Sequence, residues 1–393
     1  MFEFVINAKE DELCITTQWI YDITQEFAYQ FQGFCQFRSQ VGNHNPEILK
    51  FLESNRDLWN YPAVDSILNR LIKAGKSRSK GSLVLNSSSF QAQFGYFASI
   101  ELARLQCLIG DYNASINAIS DIKLNDRSEL FIQLTLCHFN VCYHNGICNM
   151  MLRRFSEAAD VFGDIIILVT GILKPGSVGS LRHGLAGQLQ KLLDKVLSLN
   201  AIVVTLNPSH RVEDQVKSLI ESKSVDKLRK LQSGDLATFK EFFEQSAPKF
   251  VSPLVPDYSI KENSHHEAFN HQVSVFLSEV EQHIPFLKLR TFLTLYSSID
   301  ISKLARFNDS TVNELKSQIV SFKNKAIKNK LRGKPNLRDI HLFVNNDVLF
   351  IDSGVVSAQS ESNKVYEKYF IAGVRKHSDI NNQVLKTFNS VGI

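Results

Sequence analysis

The sequence predicts a mainly α-helical protein: paired helices leading into a helical bundle, then a helix–helix–hairpin unit, then a last helix. Three observations carry this. Helix breakers are scarce, with 18 glycines and 9 prolines in 393 residues, and no proline lies between Pro62 and Pro175; proline removes a helix hydrogen bond and clashes with the preceding turn. Apolar residues recur at helical spacing through the first half. Near the C-terminus a capped amphipathic helix gives way to strict alternation, the period of a strand.

In chain order, Ala98, Leu102, Leu105 and Ile109 fall on one helix face. Gly110 supplies a C-terminal stop, because a left-handed residue there costs glycine least. Asp111 is placed to cap the next helix, and Tyr112, Ile116 and Ile119 continue the spacing. The arrangement returns downstream. Leu134, Cys137, Val141 and Cys148 share a stripe; the turn 152–155 follows; Phe155, Ala158, Phe162 and Ile165 share the next. Gly146, Phe155, Ala158 and Phe162 have the small-residue and aromatic spacing of a tetratricopeptide repeat. Tyr112 and Phe155 stand 43 residues apart, longer than the usual repeat of roughly 34, so residues 121–128 read as a connector.

Residues 174–187 hold Pro175 and four glycines and read as a loop. Helical patterns resume from Leu189 to about Ile220. Pro248, Pro253 and Pro256 make a stiff segment with apolar residues between them, expected to pack on a helical body. Beyond it, Leu289, Phe292, Leu293 and Tyr296 lie on one helix. A short element, Ile301 to Phe307, follows. Thr311 and Glu314 form a capping box, in which hydroxyl and carboxylate satisfy reciprocal backbone donors. The helix it opens carries Val312, Leu315, Ile319, Phe322 and Ala326. Ile340, Leu342 and Val344 then alternate, Asn345-Asn346 turns, and Val348 and Phe350 alternate again, the signature of a β-hairpin. Helix, short helix, capped helix and hairpin are the order of a winged helix. Residues 361–388 form a last helical stretch.

Charge and motifs narrow the chemistry. A net charge of +4 is too mild to imply nucleic acid by itself. The six cysteines form no CxxC pair and read as free thiols in a reducing compartment. The N-terminus, MFEFVINAKEDEL, carries acids where a signal peptide needs a basic region. The longest apolar run, around Ile165 to Val169, is far too short to cross a bilayer. A cytoplasmic or nuclear protein is expected, with no membrane contact. His265-His266-Glu267 and His271 look like a zinc motif but fail on geometry. His266 and His271 are five apart and diverge by about 140° on a helix, whereas HExxH needs four. Gly75-Lys76-Ser77 lacks the upstream glycine of a P-loop, Arg70 standing in its place. His138, Cys142, His144 and Cys148 pair at i, i+4, but Cys137 and Cys148 sit on the apolar stripe and read as small buried hydrophobes. No catalytic residue, metal site or cofactor is expected. The strongest chemical signal is basic: Lys316, Lys323, Lys325, Lys328, Lys330, Arg332, Lys334 and Arg338, with no acid between Lys316 and Arg338. This run covers the third helix of the winged helix and the segment after it. It reads either as a solvated face, or contact to an acidic protein, or as an RNA- or ribosome-facing patch.

Helical repeats feeding a winged helix resemble the PCI family, shared by the proteasome lid, the COP9 signalosome and eukaryotic translation initiation factor 3. The runs Glu26 to Arg38, Leu108 to Tyr112, Met150 to Phe155, Pro248 to Pro256 and Leu289 to Phe322 are similar to the branch of that family found in factor 3. The resemblance implies TPR-like repeats over 1–188 and a PCI domain over 189–355. The helical part of that domain runs to about 284, its winged helix covers about 285–355, and a C-terminal helix occupies 356–393. It also implies a non-catalytic cytoplasmic scaffold subunit, with other factor 3 subunits and the small ribosomal subunit as partners and RNA as a further one. Its partner interface would use Ile340, Leu342, Val344, Val348 and Phe350 of the hairpin, and Val365, Phe370 and Val374 of the last helix. The alternatives are a scaffold subunit of the proteasome lid or signalosome, or an RNA-binding winged-helix protein. The N-terminal part looks shorter than the family pattern, and 174–189 is richer in glycine.

Overall fold

The computed structural model describes residues 2–7, 15–78, 89–124, 130–174, 185–208, 210, 212–223, 225–258, 263–331, 341–345 and 348–352, together with helical positions 371, 374, 376–378, 380, 381 and 383. Contacts divide the chain into two units, Met1–Ile284 and Pro285–Ile393. The first holds α1 (Phe2–Asn7), α2 (Thr17–Arg38), α3 (Pro46–Ser54), α4 (Tyr61–Arg78), α5 (Phe90–Ile109), α6 (Tyr112–Ala118), α7 (Thr135–Met151), α8 (Phe155–Ile172), α9 (Leu185–Leu206), α10 (Asp214–Lys223), α11 (Val225–Ser233), α12 (Leu236–Ser246) and most of α13 (Glu267–Leu295). The second holds the end of α13, β1 (Ser298–Asp300), α14 (Ile301–Phe307), α15 (Val312–Leu331), β2 (His341–Asn345) and β3 (Val348–Asp352). The predicted class, mainly helical with a small antiparallel sheet, is what forms.

The α5 helix lies at the centre of the first unit, against α2, α4, α6 and α7. It begins at Phe90, earlier than its apolar stripe predicts, and is buried almost all round. A helix flanked on several sides has no solvent face to keep polar. Its two charges are matched internally: Arg104 donates to Glu101 at 3.1 Å and to Gln32 at 3.0 Å.

The hairpin turns share one geometry. Gly110 is left-handed at φ 100°, and its amide donates to the Cys107 carbonyl while that of Asp111 reaches Gln106. These are the two bonds of a Schellman motif. Arg153 repeats them to Met150 and, through Arg154, to Asn149. Gly234 repeats them to Leu231 and, through Asp235, to Lys230. In the second unit Asp309 does the same, to Arg306 and, through Ser310, to Ala305. The 43-residue spacing read from Tyr112 and Phe155 is therefore a repeat of backbone geometry: every bonded residue at Arg153 stands 43 after its counterpart at Gly110. Asp111 caps α6 as expected, accepting from the Ala114 amide at 3.0 Å.

Gly146 on α7 faces Phe162 on α8, and a Cβ there would run into the phenyl ring. The missing side chain is what lets the two helices approach. The proline segment packs on the helical body as predicted. Phe250 and Val251 are buried, the Val251 amide donates to the Leu108 carbonyl at 3.0 Å, and the Arg38 guanidinium donates to the Pro253 carbonyl at 2.7 Å. The helical pattern expected from Leu189 to Ile220 is two helices, α9 and α10, interrupted after Leu206. Asn207-Pro208 breaks it, because proline cannot donate and disfavours a helical residue before it. Cys137 and Cys148 are buried core thiols. The His144 ring beside them is buried and bonded to the Asn140 carbonyl at 2.7 Å.

Candidate partner interface

The second unit is built around one small core: Phe286, Leu289, Leu293, Ile299, Ile301, Leu304, Leu315, Ile319, Phe322, Leu349 and Ile351. Asp300 caps α14 through the Ser302 amide at 2.7 Å. The predicted capping box closes α15, with the Thr311 amide donating to Glu314 Oε2 at 3.0 Å and the Glu314 amide to Thr311 Oγ1 at 3.3 Å. Hydrogen bonds to the Glu314 carboxyl from Thr311, from its backbone N–H first and its side chain second, hold that carboxyl below the usual range. Leu315, Ile319 and Phe322 point inward, whereas Val312, expected on the same face, is exposed in the first turn. Tyr296, expected on the helix with Leu289, lies just past the end of α13.

The predicted hairpin is β2–β3, and a third strand joins it. The sheet order is β1-β3-β2, all antiparallel. Leu349 and Ile351 face the core, so Val348 and Phe350 face away from it. Phe343 is the register partner of Phe350. Their rings stack at 5.0 Å with planes 8° apart, and Phe343 is 56% exposed. Val344 is the register partner of Leu349, and Leu342 of Ile351; opposed residues of an antiparallel pair share a face. Val344 is nonetheless half-exposed, because β2 is an edge strand among the described residues. The hairpin thus has an apolar edge and an outer aromatic pair.

Of the residues picked from sequence, Val348 and Phe350 share the outer face of the hairpin, whereas Val344 lies on the opposite face at its exposed edge. Leu342 is on β2 by its backbone alone. Ile340, Val365 and Phe370 lie outside the described residues. Val374 is exposed and helical, as is Ile371 one turn before it. In the basic run Lys316 and Lys323 are exposed on α15. Lys325, Lys328 and Lys330 belong to the same helix, described by backbone only, and Arg332, Lys334 and Arg338 lie outside the described residues. Sequence reasoning missed Phe343. The signal was present in His341-Leu-Phe-Val-Asn345: apolar residues at consecutive positions give a strand two apolar faces, and a sheet at one edge of a small core can bury only one of them.

No group of three or more His, Cys, Asp or Glu side chains among the described residues is placed to hold a metal. The rings of His265 and His266 lie 3.8 Å apart, tilted by 44°. No helix of the described residues is long and apolar enough to cross a membrane.

Comparison with known proteins agrees with the motifs. Proteins named eukaryotic translation initiation factor 3 subunit L are similar along almost the whole chain. The one from Danio rerio is 29% identical over 411 residues, covering 98% of this chain and 69% of the relative. The Homo sapiens protein is 29% identical, with 98% and 70% covered. That from Nematostella vectensis is 32% identical over 341 residues, covering 83% and 64%. The resemblance carried by the aromatic and proline motifs is borne out by these relatives. The sequence pattern of the family described as RNA polymerase I-associated factor PAF67 matches residues 1–377, and with a match of that extent the chain belongs to the PAF67 family.

Proposed function

We propose that the chain is a non-catalytic scaffold subunit of eukaryotic translation initiation factor 3. It acts in the cytoplasm and supports small ribosomal subunit binding, preinitiation complex assembly and mRNA recruitment. In this reading 1–188 is the repeat region, 189–355 the PCI domain and 356–393 a helix gathered with those of neighbouring subunits. The observation that carries the proposal is the apolar edge of the winged helix. An exposed strand edge with apolar side chains invites a further strand or an apolar face, and an obligate contact of that type buries roughly 2,000 Å² or more. The names of the relatives supply the complex in which to look for the neighbour.

The test is reconstitution. The full chain is mixed with other factor 3 subunits, singly and together, and affinity and melting temperature are read. Phe343→Asp places a charge on the outer face, away from the core, and leaves the chain folded by circular dichroism. It is expected to weaken binding to the neighbouring subunit tenfold or more. Unchanged affinity, or no gain in melting temperature with any factor 3 subunit, overturns the reading. The exposed Lys316 and Lys323 favour phosphate contact as a second activity. Replacing the lysines of α15 by glutamate then lowers RNA affinity and its salt dependence, by a slope of roughly 0.7–0.9 for each phosphate no longer neutralised, while subunit assembly is retained.

A further inference from the structure

The run Glu26 to Arg38 contains more than its inner face requires. The buried residues of α2 are Ile20, Tyr21, Thr24, Ala28, Phe31, Cys35 and Arg38. They account for the packing of the helix on α5 and for its contacts to α7 and the proline segment, and leave the outer positions Trp19, Tyr29, Gly33 and Phe37. Trp19 is 68% exposed, Tyr29 46% and Phe37 43%. At 3.6 residues per turn, Trp19, Asp22, Glu26, Tyr29, Gly33 and Phe37 fall within an arc of about 80°, with Gly33 at its middle. A stripe about 27 Å long, with an aromatic ring at each end, therefore runs along the solvent side of the helix.

Two of the rings are held in place. The Arg104 guanidinium lies over the Tyr29 ring at 3.7 Å. Phe37 packs against His44 at 4.3 Å, and the His44 ring nitrogen meets the Phe37 carbonyl at 2.7 Å. Rings already ordered lose little entropy when a partner covers them, and Trp and Tyr are the side chains most often found at binding hot spots. Gly33 is exposed, and a Cβ there would meet nothing within 4 Å. Glycine inside a helix is unfavourable relative to alanine, and no contact among the described residues repays it here. Gly163, Gly171 and Gly187 are equally open, but none of them stands between exposed aromatic rings. The charge of the stripe is one-sided. Asp22 and Glu26 lie on it, each bonded to a glutamine of the same helix, and the one basic residue of α2, Arg38, is turned inward and buried.

We propose that the outer face of α2 is a docking site for a single helix of a partner protein. That helix crosses α2 over Gly33 with a small residue at the crossing and presents Lys or Arg toward Asp22 and Glu26. The small crossing residue allows the axes to come within the 8–10 Å of ordinary helix packing while Tyr29 and Phe37 fill the grooves on either side. The footprint, about 27 Å by roughly 10 Å, is near a third of the 800 Å² that one side of a standard interface covers. It therefore receives one helix as part of a wider contact. Parallel self-association is disfavoured, because a second copy in that direction would set Asp22 and Glu26 against like charges. The site is in the first unit and is independent of the hairpin reading, so Phe343→Asp leaves it intact.

The experiment places the photo-crosslinker benzoylphenylalanine at Trp19 and, separately, at Phe37 in the full chain. The chain is purified in its native complex and the crosslinked peptides are sequenced. Both positions are expected to capture one helix of a different protein, about 18 residues apart along it, with a small residue about one turn from the Phe37 crosslink and basic residues toward the end near Trp19. That helix, made as a labelled peptide, binds the full chain by fluorescence anisotropy, and Gly33→Leu or Trp19→Ala weakens it tenfold or more. Gly33→Ala raises the melting temperature of the chain alone by about 1–2 °C, as relief of a helix glycine with open space requires, so lost binding by Gly33→Leu is not lost folding. Crosslinks to this chain itself, to a second copy, to RNA only or to nothing overturn the proposal. So does peptide binding that is indifferent to Gly33→Leu.

Discussion

Gly146 meets Phe162 with no room for one more methyl group. Adding that methyl on α7 forces the ring, the backbone of α8, or both to move, and overpacking of this kind costs about 1–3 kcal/mol. Gly146→Ala is therefore expected to lower the urea midpoint of the first unit without changing the slope. The clash is with a ring, so a smaller partner relieves it. Phe162→Leu alone also destabilises, since it leaves space beside a fully buried position. In the double variant the two costs should partly cancel, with a coupling of about 1 kcal/mol or more. Strict additivity of the two single changes would show that the contact does not set the α7–α8 spacing. Arg153 presents the converse case: a side chain where the backbone is left-handed at φ 60°. Its guanidinium reaches Glu279 on α13, a contact that glycine at the same turn cannot make.

Elements were legible where their signals are local. The Thr311/Glu314 box closes the N-terminus of α15 through bonds spanning three residues, and such bonds are written in adjacent sequence. Removing the hydroxyl by Thr311→Ala orphans the Glu314 amide and is expected to cost about 1 kcal/mol. Hydrogen exchange should speed up in the first turn of α15 and leave its middle, anchored by Ile319 and Phe322, nearly unchanged; uniform loss along the helix would contradict a cap-limited end. Gly110-Asp111-Tyr112 and the bounds of α14 were readable for the same reason. What sequence missed depends on distant partners. Three residues, Ser298–Asp300, become a strand only because β3 arrives some fifty positions later. All-round burial of α5 comes from helices packed on sides that its own apolar stripe does not predict. The interface was half legible. Alternation found the hairpin, but which of Phe343 and Val344 faces outward is decided by the pairing with Phe350 and Leu349. Likewise, the exposed stripe of α2 emerges only once the inner face is known, because Trp19, Tyr29 and Phe37 look like core residues in a sequence.

The two units have separate cores, and their acid sensitivity should differ because only the first has a buried titrating ring among the described residues. Burial, and then the charge of Arg104, push the His144 pKa down to about 3, while the bond to the Asn140 carbonyl acts the other way. Glu101, pushed up by burial, carries a linkage of opposite sign. The unfolded chain titrates His144 near the ordinary value of about 6.5. Above that pH both states are neutral at this residue and it contributes nothing. Below it, the unfolded state takes a proton that the folded state refuses, so stability falls by about 1.4 kcal/mol per pH unit, or about 2 kcal/mol by pH 5. Comparing wild type with His144→Gln isolates the effect, since Glu101 is common to both. The difference in unfolding free energy should shift by about that amount in favour of the variant between pH 8 and pH 5. In hydrogen exchange the shift should appear in the amides of α5 and α7 and be absent from α14 and α15. A difference that stays constant with pH would mean that the His144 ring takes up its proton without unfolding, and would place water or a conformational opening beside Asn140 in the middle of the first unit.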